Sequence, residues 1–145
     1  MDINIEKIEL EGTYSNALGN LILANNKKAI IQDRIYNMNH KAIETIEDIL
    51  DVEAIPFSTR LTDAIASYIL VNSRGIVFSP LFTHDEIDNI REIFGFPKSR
   101  TIISTINMGL PIIRGGAVAN DHGLLVGNRT TGIELARIFN VLIKE

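Results

Sequence analysis

Ile69-Leu70-Val71-Asn72-Ser73-Arg74-Gly75-Ile76-Val77-Phe78 reads as two short apolar strands joined by a turn built on an asparagine and a flexible residue. The same pattern stands before it, in Leu21-Ile22-Leu23-Ala24-Asn25-Asn26-Lys27-Lys28-Ala29-Ile30-Ile31. It stands again after it, in Ala117-Val118-Ala119-Asn120-Asp121-His122-Gly123-Leu124-Leu125-Val126. The turn asparagines Asn25, Asn72 and Asn120 therefore recur at about 47 residues, a period that marks one supersecondary unit per repeat. Such units sit side by side, because each alone cannot cover its own apolar face.

One amphipathic helix is expected after each hairpin. The first runs from Lys41 to about Leu50, with Ile43, Ile46, Ile49 and Leu50 on one face and Asn39 as its cap. The second opens with Thr83-His84-Asp85-Glu86, a capping box, buries Ile87, Ile90, Ile93 and Phe94, and stops at Gly95 and Pro97. The third opens with Thr131-Gly132-Ile133-Glu134 and buries Leu135, Ile138, Phe139 and Leu142. Extended pieces follow the first two helices, Val52 to Phe57 and Arg100 to Ile106. Each unit thus reads strand, turn, strand, helix, strand. The continuous apolar runs Leu21–Ala24 and Leu124–Val126 predict strands covered on both faces, with helices outside them. The whole of 1–145 is expected to form one domain of three repeats, about 15–60, 61–108 and 109–145.

The chain has 145 residues, enough to bury a core. With 46% apolar and 22% charged residues it has the composition of an ordinary globular protein. No apolar run approaches the ~18 residues of a membrane span, and the charged start Met1-Asp2-Ile3-Asn4-Ile5-Glu6-Lys7 does not read as a signal peptide. A cytoplasmic address is the default, with no membrane partner. The absence of cysteine removes disulfides, thiolate metal sites and cysteine nucleophiles together. A net charge of −4 does not steer the protein as a whole toward nucleic acid. Acidic residues gather on the helices, and basic ones such as Lys27, Lys28, Arg74, Arg114 and Arg129 in turns and connections.

Gly127-Asn128-Arg129-Thr130-Thr131-Gly132-Ile133-Glu134 has the outline of a phosphate loop, yet Ile133 and Glu134 stand where Lys and Ser or Thr are needed. A carboxylate in that first turn repels phosphate, and a capped helix start accounts for every residue. His40, His84 and His122 lack metal-pair spacing and read as surface residues. No Gly-x-Ser-x-Gly elbow is present, and no lysine has an apolar setting that would lower its pKa. The residues thus predict no enzyme, no cofactor and no metal.

Ala17-Leu18-Gly19-Asn20-Leu21, the Val71–Gly75 turn, and Val126-Gly127-Asn128-Arg129-Thr130-Thr131-Gly132-Ile133-Glu134-Leu135-Ala136-Arg137-Ile138 resemble translation initiation factor six of archaea and eukaryotes. The terminal Thr-Thr-Gly-x-Glu-Leu element is the most specific part, and the likeness covers essentially the whole chain. The resemblance implies an α/β fold of pentein-type propeller repeats, with three of the family's five blades present and residues 1–12 a strand left from a preceding repeat. It implies a factor that binds the large ribosomal subunit on the face that meets the small one, blocks premature joining without catalysis, and serves large-subunit biogenesis. The partner would be mainly a ribosomal protein, with nearby rRNA in reach.

Binding in that family uses residues just ahead of each inner hairpin. Carried over, these are Leu18, Gly19 and Asn20, with Ser67 and Gly115 at the places equivalent to Asn20, and Arg114 on the same face. Close approach of the inner strands is the plain alternative for Gly19, Gly115 and Gly116. Three blades cannot close a fivefold ring, so two open edges and self-association, or a partner in trans, are expected. The alternative function is an incomplete pentein fragment or subunit that needs a missing two-repeat partner and does not bind ribosomes alone. Lys28, where the family has glycine, predicts a left-handed strain in the first turn. A pentein enzyme is close to excluded, since that chemistry needs a cysteine.

Overall fold

The structure is a computed structural model and describes residues 3–12 and 17–145. Five helices and three small sheets make up an α/β fold: α1 (Leu18–Leu21), β1 (Ile22–Ala24), β2 (Lys28–Gln32), α2 (Asp33–Met38), α3 (His40–Leu50), β3 (Glu53–Phe57), β4 (Ile69–Val71), β5 (Ile76–Phe78), α4 (His84–Phe94), β6 (Thr101–Ile103), β7 (Ala117–Ala119), β8 (Leu124–Val126) and α5 (Gly132–Leu142). Short 3-10 turns occupy Ile65–Tyr68, Lys98–Arg100 and Ile113–Gly115.

Each hairpin forms an antiparallel pair, β1 with β2, β4 with β5, and β7 with β8. The turn asparagines explain why. Oδ1 of Asn25 accepts from the N–H groups of Lys27 and Lys28, that of Asn72 from Arg74 and Gly75, and that of Asn120 from His122 and Gly123. One side-chain oxygen thus stands in for a backbone acceptor and closes the turn. The strain expected at Lys28 is absent, because the asparagine closes the turn with the backbone at negative φ there.

The extended pieces after α3 and α4 become third strands. β3 runs parallel to β2 from Lys28↔Glu53 to Gln32↔Phe57, and β6 runs parallel to β5 from Ile76↔Thr101 to Phe78↔Ile103. The third sheet has two strands only. Both capping boxes form: Oγ1 of Thr83 and of Thr131 accepts from the N–H of Glu86 and Glu134, whose carboxylates accept the cap N–H in return. Gly95 ends α4 at φ 77.

The propeller expectation is overturned. Among the described residues there are three separate small sheets, in the orders β1-β2-β3, β4-β5-β6 and β7-β8, with no strand pairing between sheets and no closed ring. Three of five blades does not describe this arrangement. The repeat period fixes the unit, whereas the ring came only from the resemblance, and among the described residues the third sheet does not return to the first. Segment 1–12, expected as a strand, carries none among its described residues 3–12.

Three cores lie between and beside the sheets. The first joins Leu23, Ile30 and Phe57 of the first sheet to Ile69, Ile76 and Phe78 of the second, under Ile87 and Ile90 of α4. The second gathers Leu10, Leu21, Ile31 and Ala54 under Ile43 and Ile46 of α3. The third joins Leu70 and Val77 to Ala117, Leu124 and Val126, under Ile138, Val141 and Leu142 of α5. Successive residues of β2 and β5 therefore face different cores, which is why those strands are apolar without alternation. The expectation fails for β8, where Leu125 is 75% exposed. On α5, Leu135 and Phe139 are also exposed and Val141 takes the buried place. Asn39 does not cap α3. Its amide instead bonds Glu11 N–H through Oδ1, and Glu11 O and Ile35 O through Nδ2.

Candidate functional site

Each hairpin is entered through one tight turn of helix: α1 before β1, Ile65–Tyr68 before β4, and Ile113–Gly115 before β7. Their bonds are short-range, with Asn20 N–H donating to Ala17 O, Ser67 N–H to Ala64 O, and Gly115 N–H to Ile112 O. α1 packs on the second turn, and the second on the third, so the equivalent places of the three units meet at one end of the inner strands. Arg114 Nη1 closes the set by donating to Gly19 O at 2.9 Å, across 95 positions of sequence.

The residues singled out from sequence are brought together at that end. Gly19, Asn20, Arg114 and Gly115 are exposed there, and Leu18 and Ser67 are half-buried. Between the inner strands runs a cavity of about 300 Å³, lined by Ile22–Ala24, Ile69–Val71, Ala117–Ala119 and Arg114. Partial desolvation pulls the Arg114 guanidinium below its ordinary pKa, yet an arginine stays charged at any physiological pH. The site is one fixed cation among exposed backbone and small polar groups.

Close approach does not account for Gly19: an added Cβ would meet nothing within 4 Å. It does account for Gly116, whose Cβ would stand 2.5 Å from Asn107 Nδ2, and weakly for Gly115, at 3.2 Å from Ile112 Cγ2. Gly19→Ala should thus leave the melting temperature unchanged or slightly raised, by up to about 1 kcal/mol of helix propensity. A thermal melt that instead drops by several degrees would show that the open space is not real.

Two supports of this end were not legible beforehand. The guanidinium of Arg34, on α2, pairs with Asp63 just ahead of the second turn. Glu86 and Glu134, expected only as capping residues, also reach back across the preceding connection. Glu86 accepts from Thr59 Oγ1, and Glu134 from Thr105 Oγ1 at 2.7 Å and from the N–H groups of Met108 and Gly109. Thr59 and Thr105 hold like places in their units, a coincidence that alignment of the repeats could have exposed. Burial raises the Glu134 carboxyl, but Thr131 N–H, the Thr105 hydroxyl, Gly109 N–H and the Thr131 hydroxyl outweigh it and hold the pKa at about 2. Glu86 is lowered too, burial again being outweighed by the hydroxyl of Thr59 and by Thr83.

No group of three or more His, Cys, Asp or Glu able to hold a metal ion occurs among the described residues. No helix there is long and apolar enough to cross a membrane.

The chain is 36% identical over 135 residues to translation initiation factor 6 of Pyrobaculum arsenaticum, covering 93% of this chain and 59% of that protein. It is 34% identical to the factor of Thermococcus onnurineus, covering 98% and 59%, and 36% identical to that of Thermoplasma acidophilum, covering 88% and 56%. The chain therefore spans less than two thirds of the length of these relatives. A sequence model of the eIF-6 family matches residues 1–141, and the chain belongs to that family.

Proposed function

We propose that the chain acts as a translation initiation factor that binds the large ribosomal subunit and blocks premature joining of the small one, with a part in large-subunit biogenesis. The observation that carries this reading is the convergence of Leu18-Gly19-Asn20, Ser67 and Arg114-Gly115 on one end, tied by the bond from Arg114 to Gly19 O. Three units each give one turn to a single small surface, the first and third exposed and the second half-buried through Ser67, as a binding site built on a repeat requires. The mechanism is steric: a bound protein occupies the joining face, and no bond is made or broken. It would operate in the cytoplasm.

A chain of net charge −4 suits a basic ribosomal protein as the main contact, since opposite charge speeds encounter and fixes orientation. Aromatic residues are 6% of the chain, too few for a face that reads RNA by stacking, so rRNA would lie at the rim. Co-sedimentation with purified large subunits tests the reading. Wild type should pellet with the subunit, and Asn20→Arg, a bulky charge on an exposed turn, should weaken binding at least about tenfold. Equal binding by the variant would remove the site from this end.

A second reading has an observation behind it. Val118 and Leu125 of the third sheet are 68% and 75% exposed, as in a subunit whose apolar face awaits a partner. If the folded chain leaves large subunits in the supernatant, this reading replaces the first.

A further inference from the structure

The cores between units are built by one rule. Each takes one residue from each hairpin strand of the preceding sheet, and covers them with the helix of the following unit. Leu23 and Ile30 play this part beneath α4, and Leu70 and Val77 beneath α5. Both pairs are cross-strand partners, Leu23↔Ile30 and Leu70↔Val77. The equivalent pair in the third sheet is Val118↔Leu125, and both side chains face solvent.

The opposite end of the molecule holds the complementary half. Beneath α3 lie Leu10, Leu21, Ile31 and Ala54, with no pair contributed by a preceding sheet. A mainly apolar groove of about 170 Å³ opens there instead, lined by Ile8, Leu18, Ile22, Ile46, Ile49 and Leu50, with Glu6 and Thr45 also on its wall.

The strand edges tell the same story. Asn120 N–H bonds Gly123 O and Gly127 N–H bonds Gly116 O, so alternation turns the backbone groups of Leu124 and Val126 away from β7. The corresponding groups of β2 and β5 bind β3 and β6, whereas among the described residues β8 has no second partner. Glu53 and Thr101 begin pairing at the same distance ahead of the next turn asparagine, Asn72 and Asn120. The like place ahead of Asn25 falls at Glu6, in a segment that pairs with no strand among the described residues.

We infer that the third sheet of one copy docks against the first unit of a second copy, with Val118 and Leu125 seated in the groove beneath α3 and residues 6–10 lying parallel along β8. A second copy is the occupant because the two half-cores obey one packing rule and sit on one chain. Charge agrees: residues 3–11 carry Glu6, Glu9 and Glu11 against Lys7, while Arg129 stands three residues after the end of β8. The contact is head-to-tail, between different surfaces, so it joins copies in a ring or a chain. It does not depend on the ribosome-binding reading.

Sedimentation velocity on the full chain tests it directly. The mass should rise with concentration up to about 100 µM, and Leu125→Asp, at an exposed position facing acidic residues, should weaken association at least about tenfold. The orientation is tested with cysteines placed in a chain that has none. A mixture of Leu125→Cys and Leu50→Cys chains should give a bismaleimide-linked dimer, whereas either chain alone should give little. A monomer at every concentration overturns the inference, and so does stronger linkage in either chain alone than in the mixture.

Discussion

Replacing Glu134 with alanine should lower the unfolding free energy at pH 7 by about 3 kcal/mol, read as a shift of the urea midpoint. The side chain is 6% exposed and accepts from five donors: Thr131 N–H and Oγ1, Thr105 Oγ1, and the N–H groups of Met108 and Gly109. Alanine leaves those donors without an acceptor. It also frees a connection in which Asn107, Met108 and Gly109 stand at φ 50, 66 and 99, a run of left-handed backbone that needs an anchor. Glu86 has the same cap but only the Thr59 hydroxyl beyond it. Glu86→Ala should therefore cost about 1 kcal/mol, the ordinary value of a cap.

Acid titration separates charge from shape. The Glu134 carboxyl sits at about 2 in the folded chain against an ordinary 4.5, so its contribution is fully present above 4.5 and is lost as pH falls from 4.5 toward 2. Allowing for solvent screening at a helix start, that contribution is about 2 kcal/mol. Glu86 and Asp121 are lowered as well, the latter chiefly by the backbone and side chain of Ser73, and they add slope in the same direction. The difference between wild type and Glu134→Gln isolates Glu134: it should shrink steadily below pH 4.5. A difference that holds constant to pH 2.5 would mean that the carboxylate's charge contributes nothing.

What the sequence revealed divides along a physical line. Signals that act within a few residues were legible. Asn72 closes its own turn, Thr83 and Glu86 cap one helix between them, and Gly95 stops it. Contacts between units were not. Phe139 and Leu135 fall on an apolar stripe of α5, yet they are exposed because the helix leans on the second and third sheets through Ile138, Val141 and Leu142. Helix α2 escaped notice because Asp33–Met38 is too short to show a period. The candidate site followed the same rule. Counting back from each turn asparagine found Asn20, Ser67 and Gly115, while the bond that ties their turns together spans 95 positions and leaves no local trace.

Gly75→Ala should cost about 3 kcal/mol, whereas Gly123→Ala, at the same place in the next hairpin, should stay within about 0.5. Neither glycine has a left-handed backbone, so conformational strain does not separate them. What differs is the neighbour. A Cβ on Gly75 would lie 2.6 Å from both Val141 Cγ1 and Val141 O and 2.8 Å from Arg100 O, and two of those three atoms are backbone that cannot swing aside. A Cβ on Gly123 would meet nothing within 4 Å. The second hairpin turn and the 3-10 turn before β6 carry the C-terminal end of α5: Asn72 Nδ2 donates to Leu142 O, Arg74 Nη1 to Ile143 O, and Arg100 Nη1 to Lys144 O. Pushing α5 away to admit a methyl group stretches all three bonds together and opens the core around Ile138, Val141 and Leu142. Equal melting temperatures for the two variants would show that α5 yields freely, and the junction between the second and third units would then owe its order to the strands alone. A large gap between them places the rigidity of that junction in the glycine that lets a turn and a helix end touch.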